Sequence, residues 1–216
     1  EPGEPLAPGQ IYNSNRYCLL SVLRSIGMEV HDYEILVDEL AASRDALALA
    51  ASEWDMLITS GGVSVGEEDH LKQAIRELGE LHMWRLAIQP GKPLAFGEVN
   101  GKPWIGLPGN PAAALITSLV VARPFLLSAQ GCTEVLPKPL RLTAGFAWRK
   151  PNNRRQYLRA RLEQVDGEMR VCLHPRQGSA MLTSASWAEG LAIVERNRTL
   201  EEGETVEYLP FSELLG

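Results

Sequence analysis

A glycine-rich turn between two apolar stretches is the part of this sequence best suited to binding a ligand. Residues 55–72 read Asp-Met-Leu-Ile-Thr-Ser-Gly-Gly-Val-Ser-Val-Gly-Glu-Glu-Asp-His-Leu-Lys. The apolar run 56–58 is typical of a buried strand, and apolar residues recur at helical spacing after Asp69. Gly61, Gly62 and Gly66 leave peptide N–H groups open to a ligand, which favours an anion. A turn needed only for strand–helix packing would contain the same residues.

Three carboxylates at positions 67–69 change the kind of anion site that this turn predicts. They could simply stabilise the start of the helix, where the backbone dipoles favour negative charge. A phosphate beside three acids would be repelled unless a cation lay between them. Because Mg²⁺ binds through one or two carboxylates together with substrate phosphates, the turn indicates a metal–phosphate site. The turn has neither the Walker nor the dinucleotide-binding glycine pattern.

The elements that position this turn predict an α/β domain over residues 11–136. Strands and helices alternate there, which is typical of a three-layer domain with a parallel-type sheet. Asp38 follows a predicted strand, at the strand end where open α/β sheets bind ligands. The predicted elements are a helix from Asn13 to Gly27, a strand over 29–36, a helix capped by Ser43, strands over 56–58 and 81–88, a hairpin of 94–99 and 103–107, and a long apolar helix after Pro111.

Residues 137–216 predict a small all-β barrel or sandwich, because short strands and clear turns replace long helical periodicity. The charge changes as well, from a net −8 over residues 1–137 to a net +2 over 138–216. Residues 1–10 are rich in Pro and Gly and are predicted to be a linker. The basic loop 149–155 is either a solvated turn or a contact for an anionic partner.

Composition narrows the class of protein. The chain has 216 residues, of which 45% are hydrophobic and 22% charged, as in ordinary globular domains. Without a strongly basic domain, we expect no nucleic-acid partner. The apolar stretch 112–129 is broken by Arg123-Pro124, so we expect a helix packed on a sheet and no membrane contact. The three widely spaced cysteines favour reduced thiols and a cytoplasmic location.

Four strings of residues resemble, in order and spacing, the molybdopterin molybdenumtransferases, a family that includes the E domain of gephyrin. They are Gly-Gln-Ile-Tyr-Asn-Ser-Asn-Arg at 9–16, Thr-Ser-Gly-Gly-Val-Ser-Val-Gly-Glu-Glu-Asp at 59–69, Gln-Pro-Gly-Lys-Pro-Leu-Ala-Phe at 89–96 and Gly-Leu-Pro-Gly-Asn-Pro at 106–111. Residues 154–161, 177–179 and 203–207 resemble the family's C-terminal β domain. The resemblance covers essentially the whole chain and implies a molybdopterin-binding-type α/β domain followed by this β domain.

The resemblance implies an enzyme that inserts molybdate into adenylylated molybdopterin with Mg²⁺, releasing AMP and the molybdenum cofactor. It implies catalytic roles for Asp69, Asp38, Arg85 and Lys92, and it assigns the metal to Asp69 and Asp38. The residues implied to bind molybdopterin-AMP are Ser14, Asn15, Gly61, Gly62, Val63, Ser64, Gly66, Pro108, Gly109, Asn110 and Pro111. Asn13 stands where the family usually has Asp, and Gln89 stands where it often has Lys.

Family members are homodimers that carry two further upstream domains and a first strand of the α/β domain, and the active site uses the upstream domain of a second subunit. We therefore expect this chain to be the ligand-binding half, inactive alone, with an unfilled strand position beside the helix that starts at Ser14. The alternative is a scaffold module that grips a peptide near the domain junction, as gephyrin's related domain does. Asp69, Asp38 and Lys92 favour the enzyme, since a scaffold would not need them. A nucleotide-binding oxidoreductase would need the missing dinucleotide pattern.

Overall fold

Helices cover both faces of a four-stranded sheet in the first part of the chain. The computed structural model describes residues 1–8, 10–63 and 70–215, except for the side chains of residues 83 and 84. The elements of this first part are α1 (Asn15–Ser25), α2 (Leu40–Glu53), β1 (Leu57–Ser60), α3 (His70–Leu78), β2 (Gly79–Arg85), β3 (Ile88–Gln89), β4 (Pro93–Val99), β5 (Lys102–Leu107), α4 (Pro111–Thr117) and α5 (Arg123–Ala129).

The strands of this sheet are ordered β1-β5-β4-β2. β1 and β5 are parallel, so their carboxyl ends meet at one edge of the sheet, whereas β4 is antiparallel to both of its neighbours. The predicted hairpin of β4 and β5 is confirmed. Asn100 and Gly101 have φ of +48° and +79°, as a two-residue hairpin turn of the primed type requires.

Two separate apolar clusters on the faces of the sheet confirm the three-layer architecture. On one face, α2 and α3 pack around Trp104 and Ile75, both fully buried. On the other face, α1 and α5 pack over Leu107, Ile105 and Leu94. Because consecutive residues of a strand point to opposite faces, Trp104 and Ile105 serve different clusters.

The apolar segment from Pro111 to Ala129 is a core helix. A π-helical segment, Ser118–Ala122, joins α4 to α5 directly before Pro124, which has no N–H to continue the helical ladder. By length and by a mean hydropathy of 1.8 the segment resembles a membrane span, but 56% of it is buried within the protein. Its apolar residues are therefore explained by contacts with the sheet and with the second part of the chain.

The second part of the chain forms a closed five-stranded barrel, which confirms the predicted all-β domain and decides between the barrel and the sandwich. Its elements are β6 (Leu140–Ala144), β7 (Arg155–Val165), β8 (Glu168–Leu173), α6 (Thr183–Trp187), β9 (Gly190–Val194), β10 (Thr205–Pro210) and α7 (Phe211–Leu215). The order β7-β8-β6-β10-β9 closes because β9 also pairs with β7. β3, from the first part, adds to this sheet in parallel with β7.

One hydrophobic core joins the two parts of the chain. Val22, Ile116 and Leu119 from the α/β part pack with side chains of the barrel, among them Leu191 and Leu214, both fully buried. The relative position of the two parts is thus set by apolar packing as well as by the β3–β7 pairing.

Three local predictions were wrong. Residues 29–36 are not a strand: no described residue pairs with them, Glu34 has a φ of +63°, and Asp32 is drawn into an ion pair with Arg16. Ser43 does not cap α2, since the helix begins a turn earlier with Glu39 as its N-cap, and Ser43 is buried within it. The predicted strand 81–88 is interrupted between β2 and β3, which belong to different sheets.

The sheet is continuous from β1 to β2, and β1 lies at one of its edges. Among the described residues β1 pairs with β5 alone. A groove of about 900 Å³ runs along all four residues of β1 and is lined by residues of α1, α2 and α5. That another segment fills this groove stays a prediction.

Candidate functional site

A cavity of about 540 Å³ lies where the α/β part meets the barrel. Its walls come from the turns that follow β1, β3 and β5, and from two segments of the second part. The residues that form it include Gly61, Gly62, Val63, Gln89, Lys92, Pro108, Gly109, Asn110, Arg154, Gln177, Gly178 and Ser179. The carboxyl ends of β1 and β5 open into it, as in other α/β ligand sites.

The turn after β1 has a conformation that favours glycine. Gly61 and Gly62 have φ of +88° and +63°, and the Gly61 N–H donates to the Leu107 carbonyl at 3.0 Å. A Cβ on Gly61 would meet no atom within 4 Å, so this position is open towards the cavity side. The backbone of Gly61 and Gly62, held by the hydrogen bond to Leu107, therefore forms this wall of the cavity.

Asn15 joins three segments of the site. Its Nδ2 donates to the Ser60 Oγ at 2.7 Å and to the Gly109 carbonyl at 2.8 Å, and the Ser60 Oγ in turn donates to the Pro108 carbonyl at 3.1 Å. The Asn15 Oδ1 is buried and has no partner among the described residues. Because both amide hydrogens are used within the protein, this oxygen is the one polar atom of the Asn15 side chain without a partner among the described residues.

At the start of α1, Ser14 occupies the N-cap position and Asn13 makes the capping hydrogen bond. Ser14 is the N-cap residue, but its side chain makes no capping hydrogen bond. The Asn13 Oδ1 accepts instead from the Arg16 N–H at 3.2 Å. Asn13 thus performs a capping role, and the Ser14 hydroxyl lies outside the lining of the cavity.

The turn that carries Lys92 is held at both ends. The Gln89 Oε1 accepts from the Asn152 Nδ2 at 2.9 Å, which connects the turn to the barrel. Gly91 has a φ of +119°, and the Lys92 carbonyl accepts from the Leu86 N–H at 2.9 Å. The Lys92 side chain is exposed into the cavity mouth while its backbone is fixed.

Lys92 and Arg154 are the two charged side chains among the described residues that line the cavity. Within the described part of the chain neither side chain has an ion pair or a hydrogen bond to another side chain. Two cationic side chains in one cavity suit an oxyanion.

Asp38 lines the groove beside β1 and not this cavity, and it contacts His70, the first residue of α3. It is 94% exposed, and its Oδ1 and its carbonyl oxygen lie 3.2 Å and 3.0 Å from the His70 Nδ1. The contact brings Asp38 to the residue that follows Asp69 in the sequence. Within the described ranges no group of three His, Cys, Asp or Glu is placed to hold a metal ion.

The structure brings together seven of the predicted site residues: Gly61, Gly62, Val63, Lys92, Pro108, Gly109 and Asn110. Asn15 does not line the cavity, but it donates a hydrogen bond to the Gly109 carbonyl. Pro111 is buried as the first residue of α4. Arg85 is exposed at the end of β2 and lines neither this cavity nor the groove beside β1. The predictions for Ser64, Gly66 and Asp69 fall outside the described residues.

Sequence reasoning did not assign Gln89, Arg154 or residues 177–179 to the site. The strings around Arg154 and 177–179 are visible in the sequence as part of the β domain. What the sequence did not reveal is that this domain packs against the turns of the first. The pairing of β3 with β7 is the contact that brings them there.

Comparison with known proteins agrees with this architecture. A family model described as a probable molybdopterin binding domain matches residues 3–128, and one described as the MoeA C-terminal region (domain IV) matches residues 141–211. The chain is 35% identical over 219 residues to the molybdopterin molybdenumtransferase of Haemophilus influenzae, covering 100% of this chain and 54% of that protein. It is 38% identical over 178 residues to molybdopterin molybdenumtransferase 2 of Mycobacterium tuberculosis, covering 77% of this chain and 42% of that one.

A solved structure shares the fold. The molybdopterin biosynthesis MoeA protein of Pyrococcus horikoshii superposes with a TM-score of 0.77 at 30% identity, covering 98% of this chain and 51% of its own. The chain spans about half the length of the relatives that it matches. Both of its parts match a family model in the expected order, and the chain belongs to the molybdopterin molybdenumtransferase family.

Proposed function

We propose that this chain is the ligand-binding part of an enzyme that inserts molybdate into adenylylated molybdopterin, releasing AMP. The complete protein acts as a cytoplasmic homodimer whose second subunit completes the active site, and this chain is inactive alone. The relatives named molybdopterin molybdenumtransferase support the reaction class.

The observation that carries the proposal is the pair of cations in the cavity between the two parts of the chain. Molybdate is a tetrahedral dianion, and Lys92 and Arg154 offer it charge without a competing carboxylate among the described residues. The Ser179 hydroxyl, which also lines the cavity, is a further hydrogen-bond donor. A cavity of about 540 Å³ is of the size typical of small-molecule sites.

Each wall of the cavity has a separate task in this proposal. Gly61 and Gly62 present the backbone against which the phosphate-bearing ligand lies. Lys92 and Arg154 bind and orient the oxyanion. Holding both reactants in one cavity lowers the entropic part of the barrier, because the reaction becomes effectively unimolecular.

Mg²⁺ is part of the proposal, and the chemistry of Asp38 fits it. Mg²⁺ prefers carboxylate oxygens together with substrate phosphates, and Asp38 offers an exposed carboxylate beside His70. Asp69, outside the described residues, would be the second ligand. The ion would offset the negative charge of the ligand's phosphates, which otherwise repel these acids.

Isothermal titration of this chain with sodium molybdate, and separately with AMP, tests the proposal. Lys92→Ala and Arg154→Ala should each weaken molybdate binding about ten- to a hundredfold, the effect of one lost charge-assisted hydrogen bond. Lys102→Ala is the matched control, because Lys102 lies at the opposite end of β5, in an ion pair with Asp55.

The outcomes separate the enzyme from a scaffold. Molybdate affinity that is the same in wild type, Lys92→Ala and Arg154→Ala would remove the anion site from this cavity. A wild-type chain that binds neither molybdate nor AMP would favour a non-catalytic scaffold module.

A further inference from the structure

Arg159, in the middle of β7, is a fully buried arginine without an acidic partner. Its Nε donates to the Ser184 Oγ and its Nη2 to the Gly178 carbonyl, both at 3.0 Å. Its Nη1 is buried with no partner, and no carboxylate of the described residues lies within ion-pair distance. Burial lowers the pKa of Arg159 to about 10, so the side chain still carries its charge near neutral pH. Because an unpaired buried charge is destabilising, Arg159 is expected to have a role other than stabilising the fold.

Three hydrogen bonds connect Arg159 with one short loop, Gln177–Ser179. The Gln177 Oε1 accepts from the Arg159 N–H at 2.9 Å, and the Gln177 Nε2 donates to the Arg159 carbonyl at 2.9 Å. The Gln177 Nε2 also donates to the His174 carbonyl at 2.9 Å. Together with the guanidinium bond to Gly178, both the main chain and the side chain of Arg159 hold this loop.

The same loop reaches across to the α/β part and lines the cavity. The Ser179 carbonyl accepts from the Ala112 N–H at 2.9 Å, and its Oγ accepts from the Asn110 Nδ2 at 3.3 Å. Ala112 lies in the first turn of α4, where an N–H has no partner within the helix. The loop therefore connects the barrel with the turn after β5.

We propose that Arg159 is a positioning residue that sets the barrel's wall of the ligand cavity through the loop Gln177–Ser179. Arg159 does not line the cavity, so it acts on the ligand only through the loop. Its charge is retained because a guanidinium can hold the Gly178 carbonyl and the Ser184 hydroxyl at once, in a fixed geometry. The effect on an oxyanion rests on the proposed function, whereas the effect on the loop does not.

Hydrogen exchange of the Ala112 amide reports the loop position without any ligand. In Arg159→Met this amide should exchange about ten- to a hundredfold faster, as expected for a lost hydrogen bond to a charged group, while amides in the β7–β9 ladder keep their rates. Arg161→Met is the matched control, because Arg161 lies on the same strand but contacts Glu163 and Trp187. The control should leave the Ala112 amide unchanged.

Titration with sodium molybdate is the second measurement on the same variants. Arg159→Met should weaken binding about tenfold, as Gln177→Ala should, because both release the loop. Arg159→Lys, which keeps the charge but not the planar fork, should restore only part of the Ala112 protection. If Arg159→Met does not fold, Arg159→Lys decides by the same two readouts.

The two proposals fail in different ways. Unchanged Ala112 exchange in a folded Arg159→Met protein, or an equal rise throughout the barrel, would overturn the positioning role. A wild-type chain without molybdate affinity would overturn the anion site, and the exchange experiment would still decide the role of Arg159.

Discussion

Replacing Gly91 with alanine tests how firmly the turn that carries Lys92 is held. Gly91 has a φ of +119°, and a Cβ built on it would lie 2.4 Å from the Thr117 Cγ2 and 3.3 Å from the Ile88 Cδ1. Thr117 is fully buried, and its Oγ1 donates to the Ala113 carbonyl at 2.7 Å. Its methyl group cannot rotate away without breaking that bond, so the turn itself has to move.

The expected loss of stability has two parts of similar size. The backbone conformation costs an alanine about 1–3 kcal/mol. Forcing a methyl group into a packed site costs about 1–3 kcal/mol more. For a chain of this length, each kcal/mol lowers the Tm by about 2–4 °C, so we expect a decrease of about 4–24 °C. Molybdate affinity should fall as well, because Lys92 is the next residue in the turn.

Thermal unfolding of a double-mutant cycle separates the two parts. Thr117→Ser removes the Cγ2 and keeps the hydroxyl, so in that background Gly91→Ala should lose only the backbone part. An equal decrease in Tm in both backgrounds would mean that the Thr117 contact is not a cause. A Gly91→Ala protein with the wild-type Tm would refute both parts.

Three other expectations follow from separate features of the structure. A Gly106→Ala Cβ would lie 2.5 Å from the buried Val63 Cγ1, so chemical denaturation should detect a loss of about 1–3 kcal/mol, and an unchanged midpoint would contradict this. Asp38→Asn should abolish any Mg²⁺ dependence of AMP binding, and a titration with the wild-type Mg²⁺ requirement would exclude the metal role. Burial pushes the pKa of Asp32 upward, but hydrogen bonds, above all from the Arg16 guanidinium, hold it below its usual value. Its contribution is therefore complete above pH 4 and is lost as the pH falls through the lowered pKa; Asp32→Asn should remove that part of the acid dependence of Tm, and an unaltered profile would argue against it.

Elements with local signals were predictable from the sequence. Asn100 and Gly101 both have positive φ and lie in the turn of the predicted hairpin, so one dipeptide located the ends of two strands. The strand predicted over 29–36 does not form, because a strand forms only where another strand pairs with it. Ser43 fails for a related reason: its position within α2 is set by packing against the sheet, which outweighs its preference for a helix start.

Part of the candidate site was likewise predictable from local patterns, and part was not. The turns with Gly61, Lys92 and Gly109 were predicted to be functional, and they meet because they follow strands that end at one side of the fold. Arg154 was predicted only as part of the basic loop 149–155, with an anionic partner as one of two alternatives, and Ser179 was not assigned to the site. No local pattern reports that residues so far apart in the sequence are in contact. Only the packing of the barrel against α4 and β3 brings them to the cavity.

The addition of β3 to the barrel sheet has a consequence for how the chain unfolds and how it can be divided. Two residues of the α/β part, Ile88 and Gln89, belong to the hydrogen-bonded ladder of the other part. Dividing the chain between α5 and β6 would therefore remove β3 from the edge of the barrel sheet. The turn that carries Lys92 would lose the hydrogen bond between Gln89 and Asn152. We expect the two halves to melt as a single cooperative unit, so a calorimetric scan should resolve one transition where the sequence alone suggests two domains.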